Sequence, residues 1–479
     1  MYLVRFKAVV LAALPCAFIL PAQPQVQPEA KFNTETRAVQ INVVVRDSAS
    51  HPVRGLRKED FILTDNKRPR EIQFFSEEDS PPNSPSRRSE SLAAGQFTNR
   101  FASPVARPRV TAIVLPPRLA ARIQLHAQMV RAVKEMQPGE TIAVFGLPYL
   151  NIIQDYTTDP QQVLRALDAD LPPVGRAHVP PDPYYALRAI AASLASAPGR
   201  KRVLWLDLLP LPPTPRQPGF EQSFNATVDL ISRANIALYG VDIVGVDAPS
   251  LRLDSPQPGS RIAGGGQMPA RLAGEHFGAE AYGGEVLYAG NAIHGAIQKG
   301  LDDSWHVYSL GFYLPASEAD GKTHNLVVEV AGKPKLELHY RPSYAATIVP
   351  PPTAEEASEA LLSPVDESEI LIDATVSRVD SNGRPSLRVS VILDPSTLKR
   401  GADGTANINE LFAEQDAQGD FVARIDEKLK LRWPQDKAVD RFERLIPLQD
   451  GATTVRLVVH DAATGRIGSL TIPLSGLSN

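Results

Sequence analysis

Only one cysteine occurs in the 479 residues, and it lies at position 16. The rest of the chain can form no intramolecular disulfide and no cysteine-ligated metal or cluster site. Long apolar runs are also missing. The longest candidate, Ala8 to Leu20, has 13 residues, too few to cross a bilayer. Charge of one sign is absent too: the formal net charge is −4, which gives no field directed at nucleic acid or anionic lipid. The nine histidines include no His-Glu-x-x-His and no helical i, i+4 pair. No Ser-His-Asp set and no paired-carboxylate motif stands out. The Gly-rich "AGGGQ" (263–267) lacks the Gly-Lys-Ser/Thr that grips phosphate.

What is present begins with an export signature. Arg5 and Lys7 precede the short apolar stretch, and "LPAQ" (20–23) predicts cleavage after Ala22. Cys16 lies inside this segment, so the mature chain is expected to be cysteine-free, without an integral membrane segment, and secreted or periplasmic.

Periodicity changes twice along the chain. Residues 31–78 read as a β module, with "AVQINVVVRD" as one strand and two more around the turn "DNKRP". Residues 79–108, rich in Ser, Pro and Arg, read as a linker. From 109 to 303 strands alternate with helices. Strands are expected at 109–115, 141–146, 150–155, 202–207, 236–243 and 285–288. Helices are expected at 119–136, 160–169, 184–196, 221–234, 270–277 and 291–301. That alternation predicts a mainly parallel, doubly wound sheet, and the short gap between 141–146 and 150–155 predicts an antiparallel hairpin at one edge. The first helix is assigned an apolar face of Leu119, Ile123, Val130 and Val133. Strands return at 305–314, 324–332 and 335–344. Residues 305–346 are expected to complete a split β module with 31–78, since three short strands have too little apolar face to stand alone. A Pro- and Glu-bearing linker (347–366) leads to a C-terminal β-sandwich (367–479).

The segments "INVVVRDSASHPVRGLRKEDFILTDNKRPREIQFFS", "IQDYTTD", "APGRKRVLWLD", "SRANIALYGVD", "VYSLGFYLP", "DGKTHNLVVEV" and "HYRPSY" lie over roughly residues 35 to 345. Together with the ending "VVHDAATGRIGSLTIPL", they resemble, in the same order, the VWFA-related family of secreted bacterial proteins, acidobacterial type. The resemblance implies an α/β plus all-β chain: a doubly wound, Rossmann-like von Willebrand factor A-like domain flanked by β-sandwich modules. It also implies a metal-ion-dependent adhesion site, an Asp-x-Ser-x-Ser turn after the first strand, joined by a Thr and an Asp from other loops. Mg²⁺ wants such an octahedral set of oxygens. At the matching turn this chain has Leu115, Pro116, Pro117, Arg118 and Leu119, none of them a side-chain oxygen ligand. The second loop, "LPPVGRAHVPPDPYY", has no Thr, and only Asp207 and Asp242 remain as carboxylates at strand ends.

The reading is therefore an A-like domain without the standard metal site and with no cofactor, in an exported, non-catalytic protein that binds an unknown protein partner or acts as a scaffold. The candidate partner-binding residues are Arg118, Arg176, His178, Asp207 and Asp242. Sixteen of the 43 prolines fall in the four loops expected at the carboxyl ends of the sheet, where fixed φ angles lower the entropy lost on association. Two alternatives remain: an exported hydrolase assembled from distant residues, and a nonstandard divalent site through Asp207 and Asp242. "STLK" (396–399) has the Ser-x-x-Lys spacing of some acylating enzymes but no companion motif. His324, His339, Trp205, Trp305 and Trp433 are assigned structural roles.

Overall fold

In the computed structural model, the described residues are 37–49, 51–79, 92–103, 108–169, 182–207, 220–242, 284, 286–288, 293–302, 306–333, 335–346, 354–401, 403–432 and 440–477. The export segment, Arg176, His178, the expected helix at 270–277, the Gly-rich stretch at 263–267, Trp305 and Trp433 lie outside them.

The first strands are β1 (Arg37–Arg46), β2 (Phe61–Asp65), β3 (Arg68–Arg70) and β4 (Phe74–Asp79), followed by β5 (Gln96–Thr98). The β2–β3 hairpin turns through Asn66 and Lys67, both at positive φ (47° and 67°). That backbone matches the twist of the flanking strands. Next come β6 (Arg109–Leu115), α1 (Leu119–Lys134), β7 (Glu140–Gly146), β8 (Asn151–Thr157), α2 (Pro160–Ala169) and α3 (Pro183–Ser193). They are followed by β9 (Lys201–Trp205), α4 (Phe220–Arg233), β10 (Ile236–Asp242), β11 (Val286–Tyr288) and α5 (Ile293–Asp302). Strands then resume with β12 (His306–Leu314), β13 (Thr323–Val330), β14 (Glu337–His339) and β15 (Ser343–Ala345). A short helix α6 (Ala354–Glu359) precedes β16 (Ile372–Ser381), β17 (Arg384–Leu393), β18 (Thr405–Gln415), β19 (Phe421–Arg432), β20 (Asp440–Pro447), β21 (Thr454–Asp461) and β22 (Ile467–Pro473).

The central sheet has the order β11-β10-β9-β6-β7-β8. Neighbours pair in parallel except β8, which runs antiparallel to β7 at one edge. Every residue of β6, β7 and β9 is buried, as parallel strands covered on both faces require. Val110, Ala112, Val114, Phe145, Val203 and Trp205 pack on one face with residues of α3 and α4. Ile113, Leu115, Ile142, Val144, Leu204 and Tyr239 pack on the other with α1, α2 and α5.

Before and after this sheet the chain builds one β-sandwich from two distant stretches. β1 pairs antiparallel with β12, from Arg37 opposite Leu314 to Val43 opposite Tyr308, and β4 pairs with β12 on its other side. β2 pairs with β13 in the facing sheet. Val39, Ile41, Phe61, Leu63, Tyr308, Leu310, Phe312, Leu326 and Val328 fill the space between. The expected single strand at 335–344 is two strands instead. β14 joins β1 and β15 joins β13, so Arg341 and Pro342 carry the chain from one sheet to the other.

A second sandwich packs sheet β20-β17-β16-β5 on sheet β19-β18-β21-β22 around Leu387, Val389, Ile408, Phe412, Leu457 and Ile472. Both stretches read as linkers contribute to it. Within 79–108, β5 adds to β16, Phe97 packs on the core, and the buried Asn99 makes three bonds of 2.7 Å, to Glu367 O, Ile370 O and Ile372 N. Within 347–366, Ala357, Ala360 and Leu361 are buried against Leu411, Ala413, Val458 and Ile467. Arg456 holds that segment with Nε to Ala360 O at 2.7 Å and Nη2 to Val365 O at 2.7 Å. Few but well-placed apolar groups, met by a partner distant in sequence, override a linker-like composition.

The sandwiches are tied to the central sheet by polar contacts. Ser368 N donates to Ala192 O at 2.9 Å, Ser196 N to Ser368 Oγ at 3.0 Å, and Val365 joins the core on the α3 side. Arg341 bridges Ser232 Oγ and Gln40 O, each at 2.7 Å.

Candidate functional site

The carboxyl ends of β6, β9 and β10, three adjacent parallel strands, form the edge where loops can present side chains. Arg118 follows β6, Asp207 follows β9, and Asp242 is the last residue of β10, paired with Tyr288. The topology thus places these three candidates at one edge. Arg118 is exposed, Asp207 is half-buried, and Leu206 N anchors the strand end to Val114 O at 2.9 Å. The side chain of Asp242 is outside the described set.

Arg118 is the N-cap residue of α1, with extended backbone (φ −84°, ψ 123°), and its side chain makes no cap hydrogen bond. No acidic residue lies in the first turn. The helix therefore presents its positive end near an exposed guanidinium.

The buried side of α1 matches the expected one at Val133 and differs at Leu119 and Ile123. Ala121, Arg122, Leu125, Met129, Ala132 and Val133 face the sheet, while Leu119 (48%) and Ile123 (66%) are exposed. Both sets fit helical spacing, so periodicity did not choose between them. Arg122 settles the rotation. Its Nε donates to Pro116 O at 2.8 Å and its Nη2 to Leu147 O at 2.9 Å. The guanidinium thus spans the turn after β6 and the turn after β7. A Cβ on Gly146 would stand 2.7 Å from Arg122 Nη2, so the absence of a side chain there makes room for it. The signal in the sequence was an arginine at i+4 from Arg118 and i−3 from Leu125, but it reads equally well as a solvated position.

Other sequence candidates have local explanations. Ser396 and Thr397 of "STLK" lie in a turn where Ser396 Oγ donates to Asp394 Oδ1 at 2.6 Å. His324 is buried, with Nδ1 2.9 Å from Asp65 Oδ1 and Nε2 3.2 Å from Asp320 Oδ1. His339 lies exposed on β14, and Trp205 is in the core of the central sheet. Among the described residues no three His, Cys, Asp or Glu side chains come together in a group able to hold a metal ion. No described helix is long and apolar enough to cross a membrane.

A charged network lies at the opposite, amino edge of the sheet. Glu140 is ion-paired with Arg109 Nη1 and Arg202 Nη2, each at 2.8 Å, the second contact also a hydrogen bond, and all three side chains are buried. It joins β6, β7 and β9 and has the character of a structural clamp, since both carboxylate oxygens are taken up.

No protein-family model matches the chain, and no curated protein matches it. Among solved structures it is similar to the SpRpn10 VWA domain, with 12% sequence identity over 28% of this chain and 75% of that one, at a TM-score of 0.22. By its fold the chain is a mixed α/β protein rich in antiparallel sheet, with one mainly parallel six-stranded sheet.

Proposed function

We propose that this chain is an exported, non-catalytic binding or scaffold protein of the VWFA-related type. On this reading its central body is a doubly wound A-like domain without the standard metal-ion-dependent adhesion site, and a protein partner docks at the carboxyl edge of its sheet. The observation that carries the reading is the β6–α1 turn. Its residues are Pro116, Pro117 and Arg118, and Arg122 in the first turn of α1 points hydrogen-bond donors at the carbonyls of Pro116 and Leu147 just past the strand ends. Mg²⁺ needs oxygen acceptors there, and two guanidinium groups repel it. Arg118, with the exposed Leu119 and Ile123 beside it, offers a cationic and apolar surface at the same place.

Titration calorimetry with Mg²⁺, Mn²⁺ and Ca²⁺ should show no saturable site in the micromolar range. A one-to-one site lost in Asp207→Ala would replace this reading with the nonstandard divalent one. With a partner captured by crosslinking in the native envelope, Arg118→Ala should weaken binding by roughly 1–3 kcal/mol, the range for a charged hydrogen bond. Arg118→Glu should weaken it further at unchanged melting temperature. Unchanged affinity in both variants would move the binding face elsewhere.

A further inference from the structure

The C-terminal sandwich carries a surface distinct from the crown of the central sheet. β19 has 12 residues and lies at the edge of the order β19-β18-β21-β22. From Lys428 to Arg432 its burial alternates. Leu429 and Leu431 pack toward the sandwich core, so Lys428, Lys430 and Arg432 project from the outer face. All three are exposed. Two residues of a strand span about 6.8 Å, so the cations form a ladder at that spacing.

Among the described residues, few carboxylates lie near this ladder. The outer-face Asp426 is bound by Arg424, with Nε and Nη2 each at 2.8 Å from its carboxylate oxygens. Glu427 lies on the inner side, 3.5 Å from Arg444 of β20. Asp403, held ionised by Thr405 N at 3.1 Å and Thr405 Oγ1 at 2.6 Å, offsets part of the charge of Lys430. The residues of β18 opposite Arg432, Lys430 and Lys428 are Thr405, Asn407 and Asn409, all uncharged. The helix α6 segment covers the other half of this sheet face, over Leu411, Ala413, Val458 and Ile467.

Alternate residues of β19 turn N–H and C=O groups away from β18, the ready template of any edge strand. A peptide added there would bring its own alternate side chains beside the ladder. We propose that β19 is a docking edge for an extended acidic peptide, one with carboxylates at every second position, which joins the sheet as a fifth strand. The cations select by charge. A second copy of β19 centred on Lys430 would set Lys428 beside Arg432 and is repelled, whereas a Glu-x-Glu-x-Glu strand finds a cation at each carboxylate. A single-stranded nucleic acid matches the charge but not the edge, because it cannot return alternating amide bonds.

The test uses the full chain and an acetylated, amidated peptide of about ten residues alternating Glu and Val, with a Gln-for-Glu version, oligo-dT and inorganic polyphosphate alongside. The Glu peptide should bind and slow amide exchange in residues 424–432. The Gln version should bind at least about tenfold more weakly, and so should the Glu peptide with the Lys428→Glu/Lys430→Glu chain. Lys428→Arg should retain binding. All these positions are exposed, so folding is checked by unchanged far-UV dichroism. The proposal is overturned by no binding, by equal binding to the doubly reversed chain, by no slowing of exchange in β19, or by oligo-dT or polyphosphate binding as tightly and protecting the same amides.

Discussion

Arg122 takes a charge into the packed side of α1, where water cannot serve it. Two carbonyl oxygens at strand ends do so instead, at 2.8 and 2.9 Å. Arg122→Met fills the volume but leaves both carbonyls without that donor. We expect a loss of roughly 2–4 kcal/mol in urea unfolding, with Arg122→Lys intermediate because a point charge cannot fork to both acceptors. An unchanged midpoint in Arg122→Met would show that other donors take over the carbonyls. Glu367 is the converse case, a buried acid on the seam between α3 and the C-terminal sandwich. Burial raises its carboxyl from 4.5 to about 7, opposed by the nearby Arg456 and reinforced by Glu369. The raised value means that folding favours the protonated form. Its stabilising contribution is complete below about pH 4.5 and is lost as pH rises through 7. Unfolding midpoints measured from pH 4 to 8 should therefore fall less in Glu367→Gln than in the parent. The variant should be the more stable by on the order of 3 kcal/mol at pH 8. A pH slope identical in both would assign the effect to other groups.

Among the elements, β5 shows how three residues can be held in a sheet. Gln96–Thr98 has little apolar surface, yet Asn99 just beyond it satisfies two carbonyls and one amide at once, each at 2.7 Å. Asn99→Ala takes the partner from Ile370 O and Ile372 N in a buried place, while Glu367 O keeps Ser469 N at 2.9 Å. A loss of about 2–4 kcal/mol is expected, together with faster exchange of the β5 and β16 amides. If exchange in β5 stays unchanged, then Phe97 and the ladder to β16 are sufficient to hold the strand. The same element marks where composition misleads. The Ser-, Pro- and Arg-rich stretch before it reads as linker throughout, and nothing in "GQFTN" distinguishes a short edge strand from a turn. By contrast, "QINVVV" and "TIAVFG" are legible as strands because β-branched runs have few alternatives. Residues 160–169 are legible as a helix in the sequence, and α2 has the same bounds.

At the scale of the whole molecule, the first sandwich depends on strands more than two hundred residues apart. β1 lies between β14 and β12, and β2 between β13 and β3. Residues 31–80 alone retain only the β2–β3 hairpin, which is marginal in water. That fragment should show no dispersed amide spectrum, while a fusion of 31–80 to 304–347 through a flexible linker should recover dispersion. A folded 31–80 fragment would contradict this dependence.

The sequence alone determined the strand and helix order of the described stretches between 109 and 302, the return to strands on either side, and the absence of side-chain oxygen ligands at the β6–α1 turn. All of these are local properties: period, propensity and residue type. Tertiary structure alone decided which face of α1 is buried, where β5 and α6 attach, and that Arg122 spans two turns. Each depends on a partner far along the chain, either a carbonyl to be satisfied or an apolar patch to be covered, and no window of neighbouring residues contains that partner. The outcome at α1 shows the difference most directly. Leu119 and Ile123 have the spacing of a core stripe, but the two carbonyls above the sheet need a donor, and the helix turns Arg122 toward them.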